Sequence, residues 1–289
     1  MTSRILLLMV IAILAVGPPA TAQQLKAALP PSVRLYVFNC GKLELPDVSN
    51  FKLKREEMAT TDMSVPCFLV AHPKGTLMWE AGAVPDSAFT GGSGKLHFAT
   101  ATRTLGSQLA EIGYSPADIT YQVFSHYHWD HVANANMFAG STWLVRKLDY
   151  DLMFGEAPEN KAARSGPRQD PSVYSALKNS KTVIIGDNDH DVFADGTVVL
   201  KLAPGHSPGH QVLFLNLANT GPVVLSGDLY HYPEQRTLKR VPSSEFNGQQ
   251  TADARAAVET FLEKTGAQLW IQHDFTADAK RRKSPAFYD

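Results

Sequence analysis

The stretch FSHYHWDHVANANMF, residues 124–138, decides how the rest of the chain is read. It places His126, His128, Asp130 and His131 within six residues of a chain that has ten histidines in all. ITYQVF, residues 119–124, runs directly into it and reads as a buried strand, so the cluster sits at a strand end. In extended chain His126 and His128 point the same way, and Asp130 and His131 follow as the chain turns. Imidazole nitrogen and carboxylate oxygen are the donors that zinc and similar first-row ions prefer. A satisfied structural histidine explains any one of these positions, but not the group.

Three further apolar runs end in the same manner. LAPGHSPGHQVLF (202–214) sets His206 in a turn lined by glycine and proline; VVLSGDLY (223–230) ends on Asp228; LWIQHDF (269–275) ends on His273. Loops at the ends of rigid strands are where sites are built. The set is five histidines and two aspartates, enough for two ions, and Asp228 has an oxygen for each.

Around this site the chain alternates strands and helices. VRLYVFNC, PCFLVAHP and GTLMWEAG read as early strands; Asp86 to Lys95 reads as a loop, and ATRTLGSQLAEIG as a helix stopped by Gly113. A polar stretch from Gly155 to Pro171 reads as a surface loop or lid. TADARAAVETFLEKTG reads as a late helix with Thr251 as N-cap and Gly266 as stop. This order fits a layered α/β protein with two sheets and outer helices.

Bulk properties narrow the function. The chain has 289 residues, 44% of them hydrophobic, enough for one sizeable core. A net charge of −1 gives no field for nucleic acid or a membrane surface, and neither is expected as a partner. Residues 1–22 read as a signal peptide: Arg4, the apolar run ILLLMVIAILAV, a Gly-Pro-Pro break and Ala20-Thr21-Ala22. The mature chain, 23–289, is thus expected to be exported, to a periplasm or the medium. Its two cysteines, Cys40 and Cys67, are expected to be buried free thiols, a disulfide between neighbouring strands being the alternative. KRRK at 280–283 reads as solvated surface.

The H-x-H-x-D-H run at 126–131, with G-H-S-P-G-H at 205–210, Gly227-Asp228 and His273, resembles the metallo-β-lactamase superfamily over nearly the whole mature chain. Within it, GYSPADITYQVFSHYHWDH (113–131), LAPGHSPGHQVLF and the pair His273-Asp274 look most like the N-acyl-homoserine lactone lactonases. The resemblance implies an α/β fold, a four-layer αβ/βα sandwich forming one hydrolase domain over 23–289. It implies that His126, His128 and His206 hold one divalent ion, that Asp130, His131 and His273 hold a second, and that Asp228 bridges them. Zinc is the expected metal. A hydroxide shared by the ions would open a lactone ring, with Asp130 moving the proton. The expected substrate is a small lactone or ester, in the first place an N-acyl-homoserine lactone (quorum quenching), and a homodimer is allowed. The alternative is another hydrolase of the superfamily, for organophosphates or β-lactams. His210 is expected to support a ligand. The chain departs from the pattern at two places. Glu80 stands where the superfamily usually has Asp. His231 stands where the lactonases often have a substrate-binding Tyr, and Tyr230 beside it is the expected substitute.

Overall fold

The computed structural model describes residues 28–156 and 169–289. The expected signal peptide lies outside them, as does most of the stretch expected as a loop or lid. Among the described residues no helix is long and apolar enough to cross a membrane.

β1 (Arg34–Glu44), β2 (Asp62–His72) and β3 (Gly75–Trp79) form an antiparallel meander. Beyond β3 the sheet continues in parallel through β7 (Tyr121–Val123), β8 (Thr142–Arg146) and β9 (Thr182–Ile185). Three short strands extend its other side: β4 (Phe89–Thr90), β5 (Ser93–Leu96) and β6 (Ala99–Ala101), the last pairing with β1. β15 (Phe287–Tyr288) also pairs with β1. The second sheet runs β10 (His190–Asp191), β11 (Val198–Leu202), β12 (Gln211–Leu217) and β13 (Gly221–Leu225) antiparallel, then β14 (Gln268–Trp270) parallel to β13. The part of Asp86–Lys95 expected as a loop therefore contains β4 and most of β5; two to four residues are too few to show a period.

Side-chain alternation along the strands creates three apolar layers. Leu35, Val37 and Val123 of the first sheet meet Leu213, Leu215 and Val223 of the second, in a core between the sheets. On the outer face of the first sheet, Tyr36, Phe38 and Trp143 pack under α1 (Leu105–Glu111) and α3 (Lys147–Phe154). On the outer face of the second, Val212 and Val224 pack under Ala254, Val258 and Leu262 of α5 (Gly248–Thr265). The helices need this support, since short helices are marginal alone in water. The result is a four-layer αβ/βα sandwich, the fold expected.

Two local expectations are corrected. The N-cap of α5 is Asn247, whose side chain accepts from the N–H groups of Gln249 and Gln250; Thr251 lies inside the first turn. Gly266 does stop the helix, at φ 68°. Cys40 and Cys67 are not free thiols: they form a disulfide, with Cα atoms 5.7 Å apart. β1 and β2 are direct neighbours, Phe38 lies opposite Cys67, and Cys40 falls within the register shift between Asn39 and Lys42. The bridge closes a separation of 27 residues, so the chain-entropy model assigns it about 3–4 kcal/mol. The double variant Cys40→Ala/Cys67→Ala is expected to lose stability of that order in urea unfolding, with an unchanged midpoint as the contrary result.

Candidate metal centre

All the candidate donors sit where strands of the two sheets end. His126 and His128 follow β7, and α2 (Trp129–Val132) carries Asp130 and His131. His206 lies in the β11–β12 turn, Asp228 just beyond β13 and His273 just beyond β14. Six of the seven are buried, and His128 is half-buried. The structure brings them into two groups: His126, His128, His206 and Asp228; and Asp130, His131 and His273.

Asp228 stands between the groups, one oxygen toward each. Its Oδ1 is 3.1 Å from His131 Nε2 and 3.0 Å from His273 Nε2. Its Oδ2 is 3.2 Å from His206 Nε2 and 3.7 Å from His126 Nε2. His206 Nε2 is in turn 3.1 Å from His126 Nε2 and 3.0 Å from His128 Nδ1. Asp130 Oδ2 lies 3.8 Å from His131 Nε2 and 3.7 Å from His273 Nε2.

The outward-facing atoms decide whether a cation fits. His273 Nδ1 lies 2.7 Å from the Ser64 carbonyl, which only accepts, so Nδ1 carries the proton and Nε2 a lone pair. His131 Nδ1 faces Glu80 Oε1 at 3.2 Å, with the same consequence. His206 Nδ1 faces Glu245 Oε1 at 3.4 Å. Both Nε2 atoms of His131 and His273, and Asp228 Oδ1, are buried without a hydrogen-bond partner. Lone pairs aimed at one another in a buried place are costly unless a cation lies among them. Carboxylates holding the outer nitrogens are the usual support of metal-binding imidazoles. The residues therefore fit divalent ions.

The electrostatics agree. Burial, with help from neighbouring imidazoles, pushes His126 and His128 well below the usual histidine range, so both are neutral donors. Burial works against the charge of Asp228, but His131, His273 and His126 around it hold its carboxyl well below the usual range. Burial likewise opposes charge on His131, yet Asp228, Glu80 and Asp130 overcome it and raise its affinity for a proton. The field that draws a proton to that spot also draws a metal ion.

Two of the supports, Glu245 and Asp149, were not visible in the sequence; Glu80 and His210 were. Glu245 sits in a polar loop with no motif around it. It reaches His206 because Gly205, at φ 135°, lets the turn press against Thr251, whose hydroxyl donates to Glu245 Oε2 at 2.7 Å. Asp149 of α3 accepts from the Ser207 hydroxyl and the Gly209 N–H, holding the turn from the other side. Glu80 takes the Ser125 N–H as well as facing His131, so the longer acid is accommodated. Its own φ of 69° turns the chain at that point. His210 lies within hydrogen-bonding distance of the Ala203 carbonyl and accepts from the Asp228 N–H at 3.0 Å, so it fixes the backbone of the bridging residue. Burial pushes it down to about 3 and keeps that nitrogen free to accept.

Tyr230 is placed differently from its expected role. Its hydroxyl donates to Glu259 Oε1 at 3.0 Å, and its ring lies under Arg255. Tyr232 donates to the Thr61 carbonyl at 2.8 Å. The ring of this run that faces the donors is His231, with Nε2 at 3.2 Å from Asp228 Oδ2. Beside the donors opens a cavity of about 400 Å³, walled by Leu43, Leu45, Phe51, Met63 and Phe98.

The model of the metallo-beta-lactamase superfamily matches residues 60–266. The chain belongs to the metallo-beta-lactamase superfamily. Among curated relatives, the N-acyl homoserine lactonase AttM of Azorhizobium caulinodans is 29% identical over 267 residues, 89% of this chain and 99% of the relative. Among solved structures, an N-acyl homoserine lactone hydrolase with the product N-hexanoyl-L-homoserine at its catalytic metal centre superposes with a TM-score of 0.70. It is 23% identical and covers 89% of this chain and 99% of its own. AidC, a dizinc quorum-quenching lactonase, superposes at 0.65 with 19% identity, over 91% and 96% of the two chains.

In this superfamily member Gly227 is at φ 49°, and a Cβ there would lie 2.5 Å from Ser125 Cβ and 2.8 Å from His210 Nε2. Gly227→Ala is expected to displace Asp228 and to lower divalent-ion affinity about tenfold or more in competition with a chromogenic chelator. Unchanged affinity would show that Asp228 is held by other means.

Proposed function

We propose that the protein is an exported hydrolase that opens lactone rings with two divalent ions, zinc by preference. We assign N-acyl-homoserine lactones as its substrate class. The observation that carries this reading is Asp228, with one carboxylate oxygen set toward each of two donor groups. The names of the relatives supply the substrate class, and the leader-like first 22 residues and the disulfide support export.

Two bound ions would lower the pKa of a shared water toward 7 and polarise an ester carbonyl. The chain's own residues supply the rest. Asp130 lines the cavity beside His273, placed to take the proton from the attacking water and return it to the leaving alkoxide. Leu43, Leu45, Phe51, Met63 and Phe98 offer an acyl chain a dry wall. Its length along that wall positions the ring against the donors. No serine or cysteine nucleophile is needed, and both cysteines are tied up in their disulfide.

The test is proton release by the mature chain, residues 23–289, with metal content counted beforehand. A lactone, a phosphotriester and a β-lactam are compared. Fast lactone opening with two ions per chain is the expected result; faster cleavage of either other substrate replaces the substrate class. Asp228→Ala is expected to lose metal and nearly all turnover while circular dichroism shows the fold retained. Asp130→Asn, assayed with divalent ion in excess, is expected to lower kcat by about 10²–10⁴.

A further inference from the structure

His231 is a close neighbour of the bridging carboxylate that the seven donors do not include. Its ring is buried, tilted against Phe51 at 4.8 Å and parallel to His273 at 6.0 Å. Its backbone N–H donates to Gln235 Oε1 at 2.8 Å, at the start of α4 (Pro233–Thr237), which ties down the chain at that point. It belongs to neither donor group and gathers instead with His206 and Glu245.

The two ring nitrogens have unequal surroundings. Nε2 is 3.2 Å from Asp228 Oδ2, an acceptor. Nδ1 is buried with no hydrogen-bond partner. A neutral imidazole so placed carries its single proton on Nε2. A carboxylate oxygen has two lone pairs, so Asp228 Oδ2 can accept this N–H and still face the His126–His206 side. The torsion that turns a carboxylate about its Cβ–Cγ bond is broad and only weakly restrained by itself. Something outside the carboxylate must therefore hold its rotation. The flanking hydroxyls of Tyr230 and Tyr232 are engaged elsewhere.

We propose that His231 is a positioning residue for the metal centre: its Nε2–H donates to Asp228 Oδ2 and fixes the rotation at which the carboxylate serves both donor groups. The inference rests on the two-ion reading above. Without the donor the carboxylate turns, and one of the two ions loses its oxygen.

The test uses the full mature chain, stripped with chelator and titrated with Co(II), followed by absorption and by metal analysis. His231→Leu removes the donor, and His231→Gln returns an N–H at similar reach. The expected result is that His231→Leu needs about ten- to a hundredfold more free Co(II) to fill the second equivalent. The absorption band of the first equivalent keeps its shape, and His231→Gln recovers most of the affinity. If His231→Leu does not fold by circular dichroism, His231→Met takes its place. Two ions bound as tightly in the apolar variant as in the parent would overturn the proposal. So would a band reshaped by loss of a nitrogen donor, which would make His231 a ligand. A parent chain that fills with a single ion would instead sink the two-ion reading, and this inference with it.

Discussion

One buried carboxylate organises this molecule. Asp228 lies with imidazole nitrogens on both sides of it, each within about the separation expected of atoms that share an ion. Everything around it limits where that carboxylate can go. Its N–H is taken by His210, the residue before it is a glycine pressed against Ser125, and the strand leading to it is paired on both sides. A charged group in so dry a place is tolerable only because its surroundings carry the opposite charge or accept a cation.

The sandwich explains how so many polar groups reach one place. Strand ends of both sheets converge there, and the apolar layers on either side keep those ends from moving. The outer ring of partners then sets the direction of each imidazole: Ser64 for His273, Glu80 for His131, Glu245 for His206. Without those partners the rings could flip, and the inward lone pairs would no longer be defined.

The donors were legible in the sequence because each ends an apolar run, and a run of that kind announces a strand with a loop beyond it. Long strands and the helices with clear stops were legible for the same reason. What escaped depended on contacts across the fold. The pairing of Cys40 with Cys67 depends on the register of β1 against β2, which no local pattern marks. Glu245 is one acid in a polar loop, indistinguishable from solvated neighbours until the loop is folded over His206. The resemblance offers Tyr230 as the substitute, but after the tight turn Gly227–Leu229 its hydroxyl goes to Glu259 and the ring of His231 faces the donors. Thr251 failed as a cap since Asn247, four residues earlier, starts the helix sooner.

The two sheets contribute unequally spaced parts of one chain to the centre: 126–131 from the first, 206, 228 and 273 from the second. A cation held by both halves is therefore a rivet across the seam where the sheets meet. The folded state alone offers that arrangement, so by mass action its stability rises with free metal as RT ln(1 + [M]/Kd). Heat resistance in this molecule is then a property of the chain and its surroundings together. In a metal-poor medium the seam would be held by its apolar core alone.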